Sequence, residues 1–284
     1  MRSKPFILFT LAVVLLGTAF VCGCTDSGPA PTAPAETETI SVTGSTTVLP
    51  IAQLAAEAYM DTHPAADIQV SGGGSSVGVK AAGAGTADIG MASRDLKSSE
   101  SETYPDLVQH VVAKDAIAII VNPANTVSDL SVAQIKSIYR GDVTNWKDVG
   151  GPDEIIVVVG RDSASGTREY FHSAVMDKED FTTGQLEKNS NGAVRQTVAQ
   201  TPGAIGYVGL GYIDAGVKAV PVNTGATTVD ASVETVISGE YPIARGLNMF
   251  TVGEPEGLAA EYLAFIMSPD GQVLVADEGF VPVI

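Results

Sequence analysis

The chain has 284 residues, 45% of them hydrophobic, and a formal charge of −17. Such a surface excludes nucleic acid, and electrostatic attraction to anionic lipid, as modes of partnership. It also means that an anionic ligand must be held by local N–H groups and dipoles, because the long-range field opposes its approach.

Arg2 and Lys4 precede an apolar run from Phe6 to Val21, which ends in Val21-Cys22-Gly23-Cys24. A charged n-region, an h-region and a small-residue cleavage site make residues 1–23 a signal peptide, so the protein is exported. Removing it deletes two cations and no acid, which takes the formal charge from −17 to −19. Cysteine directly after a small residue resembles a lipoprotein signal, with Cys24 as the lipid-modified first mature residue. Residues 24–39 are Pro, Ala, Thr, Ser and Glu with almost nothing to bury, and read as a disordered tether. The globular part then begins near Ile40, and the remaining chain is long enough for two domains. Both cysteines lie in the targeting segment, so this part has no disulfide and depends on its core.

Thr39 to Thr43 alternates as a short strand. Gly44-Ser45-Thr46-Thr47 is a turn, and the stretch to Tyr59 is helical in composition. Pro50 is tolerated only where its missing N–H would be unpaired, so the helix starts near Thr47. Ser45, Thr46 and Thr47 take the turn and cap positions. Helix first turns favour Asp or Glu, yet none occurs between Ile40 and Glu57. The pattern repeats with strand 67–71, turn Gly72-Gly73-Gly74-Ser75-Ser76, and a helix from Val77, again without a carboxylate before Asp88. A third strand spans 87–92 and exits through Ser93-Arg94-Asp95-Leu96. Residues 108–113 and 116–121 read as two further strands, and Asn122 to Asn125 as a crossing between domains.

A helix over 131–139 presents Val132, Ile135, Ile138 and Tyr139 on one face. A turn-rich connection follows, in which Trp146 is a packing residue. Ile155 to Val159 is a continuous apolar run that reads as a buried strand. It leads through Gly160-Arg161-Asp162-Ser163-Ala164-Ser165-Gly166-Thr167 into a helix carrying Tyr170, Phe171, Ala174 and Val175. Such a turn aims free N–H groups and a positive dipole end outward. Ser165 and Thr167 add hydroxyls, Gly166 admits close approach, and Arg161 adds a planar cation. That chemistry suits a tetrahedral oxyanion. Helices over 191–200, 229–237, 257–267 and 269–278, and strands over 204–208, 218–222 and 247–252, complete the chain. Strands alternating with helices imply α/β domains with largely parallel sheets. Three strand–turn–helix units place their Ser/Thr/Gly turns at strand carboxyl ends, where open α/β sheets bind ligands.

The sequence resembles the phosphate-binding proteins of phosphate ABC transporters, a family of periplasmic-type solute receptors. Gly44 to Pro50, Gly72 to Ser76 with Asp88 to Arg94, Ile138 to Trp146, Gly160 to Thr167, and Gly203 to Tyr207 carry the likeness, in that order. It implies a two-domain α/β clamshell, each domain a mostly parallel sheet flanked by helices. Residues 40–118 and 243–284 would form one domain and 119–242 the other. It implies that Ser45, Thr46, Thr47 and Ser75 meet phosphate from one side, and Arg161, Ser165, Gly166 and Thr167 from the other. It further implies a monomer without cofactor or metal, anchored by Cys24 on the outer face of the cytoplasmic membrane or free in the periplasm, which delivers phosphate to permease subunits. Many relatives carry an aspartate where this chain has Ser93, followed by Arg94. An ionised carboxylate accepts the proton of phosphate and repels sulfate, whereas Ser93 both donates and accepts. A receptor for sulfate, molybdate or tungstate is therefore the second reading. Asp95 or Asp162 could replace the missing carboxylate, and Arg94 either contacts the ion or pairs with Asp95.

An enzyme is disfavoured. Gly-x-Ser-x-Gly is absent, and His63, His110 and His172 form no metal motif. His172 lies two helical turns from Ser165. Nothing in the sequence asks for a structural or adhesive role.

Overall fold

The computed structural model describes residues 37–284. The expected signal peptide, Cys24 and most of the expected tether lie outside the described residues. The strand expected over 39–43 runs from Glu38 to Gly44, and the Glu38 carboxylate accepts the Leu258 N–H at 2.9 Å, which ties the strand's start to a C-terminal helix.

The chain opens with β1 (Glu38–Gly44), α1 (Leu49–Thr62), β2 (Ala66–Gly72), α2 (Ser75–Gly83), β3 (Ile89–Ala92) and a short α3 (Ser98–Thr103). There follow β4 (Leu107–Val121), β5 (Leu130–Ser131), α4 (Val132–Arg140), β6 (Val157–Arg161), α5 (Gly166–Ala174), β7 (Leu186–Lys188), α6 (Asn191–Gln200) and β8 (Ala204–Gly209). The remainder is β9 (Lys218–Val220), β10 (Val222–Asn223), β11 (Thr228–Val229), α7 (Val233–Ile237), β12 (Ala244–Val252), α8 (Gly257–Ile266) and α9 (Pro269–Asp277).

The main sheet runs β2-β1-β3-β12-β4-β8-β6-β7, with β9 also on β4. Its flanks are parallel: β1 with β2 and β3, and β6 with β7 and β8. Between them β12 and β4 run antiparallel to each other and to their outer neighbours. The two largest hydrophobic cores lie side by side along this sheet, with two smaller clusters beside them. One gathers Val42, Ile51, Ile89, Met91, Val112, Leu247 and Tyr262; the other gathers Ile117, Ile135, Tyr139, Trp146, Phe171, Tyr207 and Ile243. The molecule is thus a two-lobed α/β clamshell, and β4 and β12 pass from one core to the other.

The structure joins the two strands expected at 108–113 and 116–121 into one 15-residue strand. Lys114 and Asp115 looked like a break, but both are paired. The Lys114 backbone exchanges hydrogen bonds with Val281, and Asp115 meets Arg245 from β12. The helix expected over 229–237 shrinks to α7, because Val229 pairs with Val222 in a small second sheet and Ser232 caps the helix.

Trp146 is fully buried and its indole N–H donates to the Gly203 carbonyl at 2.9 Å. Trp146→Ala is expected to cost about 3–5 kcal/mol of stability by denaturant unfolding, from the lost packing and the lost indole hydrogen bond; the Gly203 carbonyl keeps the Val157 N–H at 2.9 Å.

Candidate functional site

The hydroxyls before α1 do not cap it. The cap position is Val48, which makes no side-chain bond, and Pro50 sits in the first turn. Ser45 Oγ accepts only the nearby Thr47 N–H. Thr46 and Thr47 therefore keep their side chains for the opposite lobe. Thr46 Oγ1 receives Arg161 Nη2 at 3.2 Å and Asn191 Nδ2 at 3.1 Å, and Thr47 Oγ1 receives Asn191 Nδ2 at 3.0 Å. At α2 the cap is Gly74, at φ +97°, a conformation glycine adopts without strain. Ser75 Oγ accepts the Ser93 N–H at 3.0 Å, and the Ser76 N–H crosses the cleft to the Ala164 carbonyl at 3.1 Å. Neither helix has an acid in its first turn. At α5 the turn hydroxyl does cap the helix: Ser165 Oγ accepts the Arg168 N–H.

The structure brings the two sets of turns together. Thr47 Oγ1 and Thr167 Oγ1 stand 3.1 Å apart, and Ser75 faces Gly166. Ser45, Thr46, Thr47, Ser75, Ser93, Arg94, Arg161, Ser165, Gly166 and Thr167 are all buried. The Asp162 carboxylate takes the Ala164 N–H and shapes the turn.

Arg161 is the informative member. It is only 1% exposed, and its hydrogen-bond acceptors are neutral: the Lys188 and Asn189 carbonyls and Thr46 Oγ1. Burial pushes its pKa down, partly offset by Tyr207 and Asp162. A guanidinium stays charged, so its burial against neutral groups costs free energy that a bound anion would return.

Arg94 is placed differently from expectation. It pairs neither with the cluster nor with the Asp95 carboxylate. Its Nη1 and Nη2 clasp Glu100 at 2.7 and 2.8 Å, Nη1 also reaches the Asp95 carbonyl, and Nε lies 2.7 Å from Glu169 of α5. Two carboxylates at this distance outcompete a more remote anion for one cation. Lys97 also meets Glu169, at 3.0 Å. This group links the exit of β3 to α5 across the cleft. Burial opposes ionising Glu100, but the Arg94 and Lys97 hydrogen bonds outweigh it and hold its pKa below the usual carboxylate range. A depressed carboxylate contributes stability above its unfolded pKa and loses it as pH falls through the folded one. Glu169→Gln is expected to speed ligand release several-fold in stopped-flow measurements, with the unfolding midpoint nearly unchanged because Glu169 is partly solvated.

Three residues of this neighbourhood were not anticipated. Asn191 opens α6 and bonds both Thr46 and Thr47. Arg245 donates to Asp115, to the Ser93 carbonyl and to Thr167 Oγ1. Asp115 is fully buried; burial pushes its carboxyl up, while Arg245 and the Leu210 N–H pull it down. The signal for Asn191 was its place after Asn189-Ser190 at a helix start. Arg245 and Asp115 meet through the β4–β12 register, 130 residues apart, which no local pattern shows.

A groove of about 630 Å³ opens beside α5. It shares only Ser165 with the cluster and mixes Lys97 and Arg168 with Glu169, Asp180 and Glu187, so it lacks the one-signed chemistry of the hydroxyl–guanidinium cluster. Among the described residues no group of His, Cys, Asp and Glu has a metal-holding arrangement, and no helix is long and apolar enough to cross a membrane.

Residues 29–270 match the family model described as a PBP superfamily domain. The chain is 34% identical to the phosphate-binding protein PstS of Bacillus subtilis, over all of this chain and 95% of that protein. A phosphate ABC transporter substrate-binding protein of Clostridium perfringens, solved with bound phosphate, superimposes with a TM-score of 0.82 at 37% identity, covering 87% of this chain and all of that one. An ABC-type phosphate transport receptor of Vibrio cholerae gives a TM-score of 0.71 at 33% identity, covering 85% of this chain and 99% of that one.

Proposed function

Since the chain belongs to the PBP superfamily, and within it to the phosphate-binding proteins, we propose that it binds inorganic phosphate between its lobes and delivers it to an ABC transporter permease. The observation that carries this reading is Arg161, a buried cation whose partners are all neutral and whose guanidinium reaches Thr46 Oγ1 across the cleft. Thr46, Thr47, Ser75, Ser93, Arg161, Ser165, Gly166 and Thr167 supply the ligand set, with Ser45 shaping the first turn. Their hydroxyls, N–H groups and guanidinium replace the hydration that phosphate loses. Arg94 stands outside the set and fastens the closed cleft.

The lobes divide within β4, between Ala113 and Ala116, and near Ile243 to Leu247. The support is that Ala113 and Leu247 pack in one core, and Ala116 and Ile243 in the other. Because the cluster is buried, an ion reaches it only when the lobes part, so binding and closure are coupled. The protein is a monomeric binding protein rather than an enzyme. Ser165 Oγ is engaged by the Arg168 N–H and has no histidine partner among the described residues. Export and lipid anchoring at Cys24 rest on the sequence of the first 24 residues.

Ser93 gives the second reading, a sulfate-type oxyanion receptor, its only structural motive. Competition calorimetry separates the two. Phosphate should bind at micromolar concentration or tighter, equivalent to about −8 kcal/mol, and survive excess sulfate. Displacement by sulfate at modest excess would transfer the site to the second reading.

A further inference from the structure

Arg245 belongs to no turn and to no motif of the ligand set, yet it is 94% buried against it, at 6% exposure. Its Nη2 lies 3.0 Å from Thr167 Oγ1 and 3.4 Å from Thr47 Oγ1. Those hydroxyls belong to opposite lobes and stand 3.1 Å apart. Arg245 Nη2 donates to both hydroxyls, and the three groups meet at one point; a single oxyanion oxygen seated among them would replace these contacts and accept from all three.

The orientation of Arg245 is fixed from behind. Asp115 Oδ2 accepts Nε at 3.1 Å and Nη2 at 2.9 Å, and the Ser93 carbonyl accepts Nη1 at 2.9 Å. Asp115 Oδ1 is occupied by the Leu210 N–H at 2.9 Å. Both oxygens of the carboxylate are thus committed to protein donors, and neither serves as an acceptor for a ligand proton. We infer that Arg245 is a second guanidinium ligand of the bound anion, that Asp115 is its positioning residue, and that the pair selects the doubly charged form of the anion. The inference rests on the oxyanion reading of the cleft.

The physical ground is the count of charges at the ion. Arg161 and Arg245 both approach it, while the balancing Asp115 lies one layer back. Charged hydrogen bonds of this kind strengthen with the ligand's negative charge. Phosphate loses its second proton near neutrality, so wild-type affinity should rise with pH through that step. The ionisable groups facing Arg245 are Asp115 on β4, Tyr170 on α5, Tyr207 on β8 and Arg161 on β6. Burial raises Tyr170 and Tyr207 further above the neutral range. Asp115 is the one facing group whose own titration could imitate the effect, so it is varied too.

The test is calorimetric titration of the purified protein with phosphate, and in parallel with sulfate, from pH 5.5 to 8.5. Wild type is compared with Arg245→Gln and with the double variant Arg245→Gln/Asp115→Asn, each checked for folding by circular dichroism. Arg245→Gln should weaken phosphate binding about 10- to 100-fold, the range of one or two charged hydrogen bonds. It leaves Asp115 uncompensated near the anion, so its affinity should fall, not rise, with pH. The double variant should recover part of the loss and flatten the profile. A merely structural Arg245 would lower the unfolding midpoint and leave the sign of the pH dependence unchanged. Arg245→Gln within twofold of wild type, with the wild-type profile, overturns the inference. So does a double variant no better than the single one. If wild type takes sulfate in place of phosphate and Arg245→Gln loses it, the phosphate reading falls and the role of Arg245 stands. If neither anion binds the wild type, both fall.

Discussion

Arg161→Met is expected to abolish phosphate binding at micromolar concentrations while leaving the protein without phosphate as stable as wild type, or more so. The two halves of this result come from one fact. Arg161 is 1% exposed and its described acceptors are two carbonyls and a hydroxyl. In the absence of an anion its charge is a desolvation cost, and an apolar side chain of similar volume removes that cost. With the anion, losing the cation leaves a buried negative charge short of its main partner, which costs roughly 3–5 kcal/mol, or more than about 100-fold in affinity. Calorimetry and thermal unfolding of the same preparation check both halves. Had Arg161 been an ordinary structural arginine, its removal would lower the unfolding midpoint and spare binding.

Gly166→Ala should weaken phosphate binding roughly 10- to 100-fold by obstructing closure rather than by removing a donor. A Cβ at Gly166 would lie 2.2 Å from Ser75 Oγ, 2.8 Å from Ser75 Cβ and 3.1 Å from Ser93 Oγ. Those atoms belong to the other lobe, and Ser75 is held by its bond to the Ser93 N–H, so the hydroxyl cannot simply rotate away. Each lobe still folds, since alanine suits the first position of α5. The unfolding midpoint should therefore hold. Small-angle scattering should show less compaction on adding phosphate than in wild type. Gly192→Ala is the control: its Cβ would meet nothing within 4 Å, and it should change neither property.

The turns were legible because each is a local object. Gly44 to Thr47, Gly72 to Ser76 and Gly160 to Thr167 announce themselves by small polar residues between an apolar strand and a helix. The structure places all three at one cleft. The missing acids were also informative, for α1 and α2 indeed have none in their first turns. What stayed hidden depends on register. Lys114-Asp115 read as a break because two charges interrupt an apolar run, and only pairing with Val281 and Arg245 makes the strand continuous. Arg94 lay inside a turn motif and looked like a ligand. Its partner Glu169 comes from the far side of the cleft, and Glu100 from the following helix, so its neutralisation could not be read from Ser93-Arg94-Asp95 alone. Arg245 had the opposite fate, being buried at the site with no motif around it.

The anion is expected between Arg161, which reaches Thr46, and the point where the Thr47 and Thr167 hydroxyls meet. The most direct measurement is an anomalous difference map from crystals grown with arsenate, a heavier tetrahedral analogue of phosphate. A single arsenic peak within hydrogen-bonding reach of Thr46, Thr47, Arg161 and Thr167, in a closed cleft, is the expected result. A peak in the groove beside α5, among Arg168, Phe181 and Gln185, would contradict it.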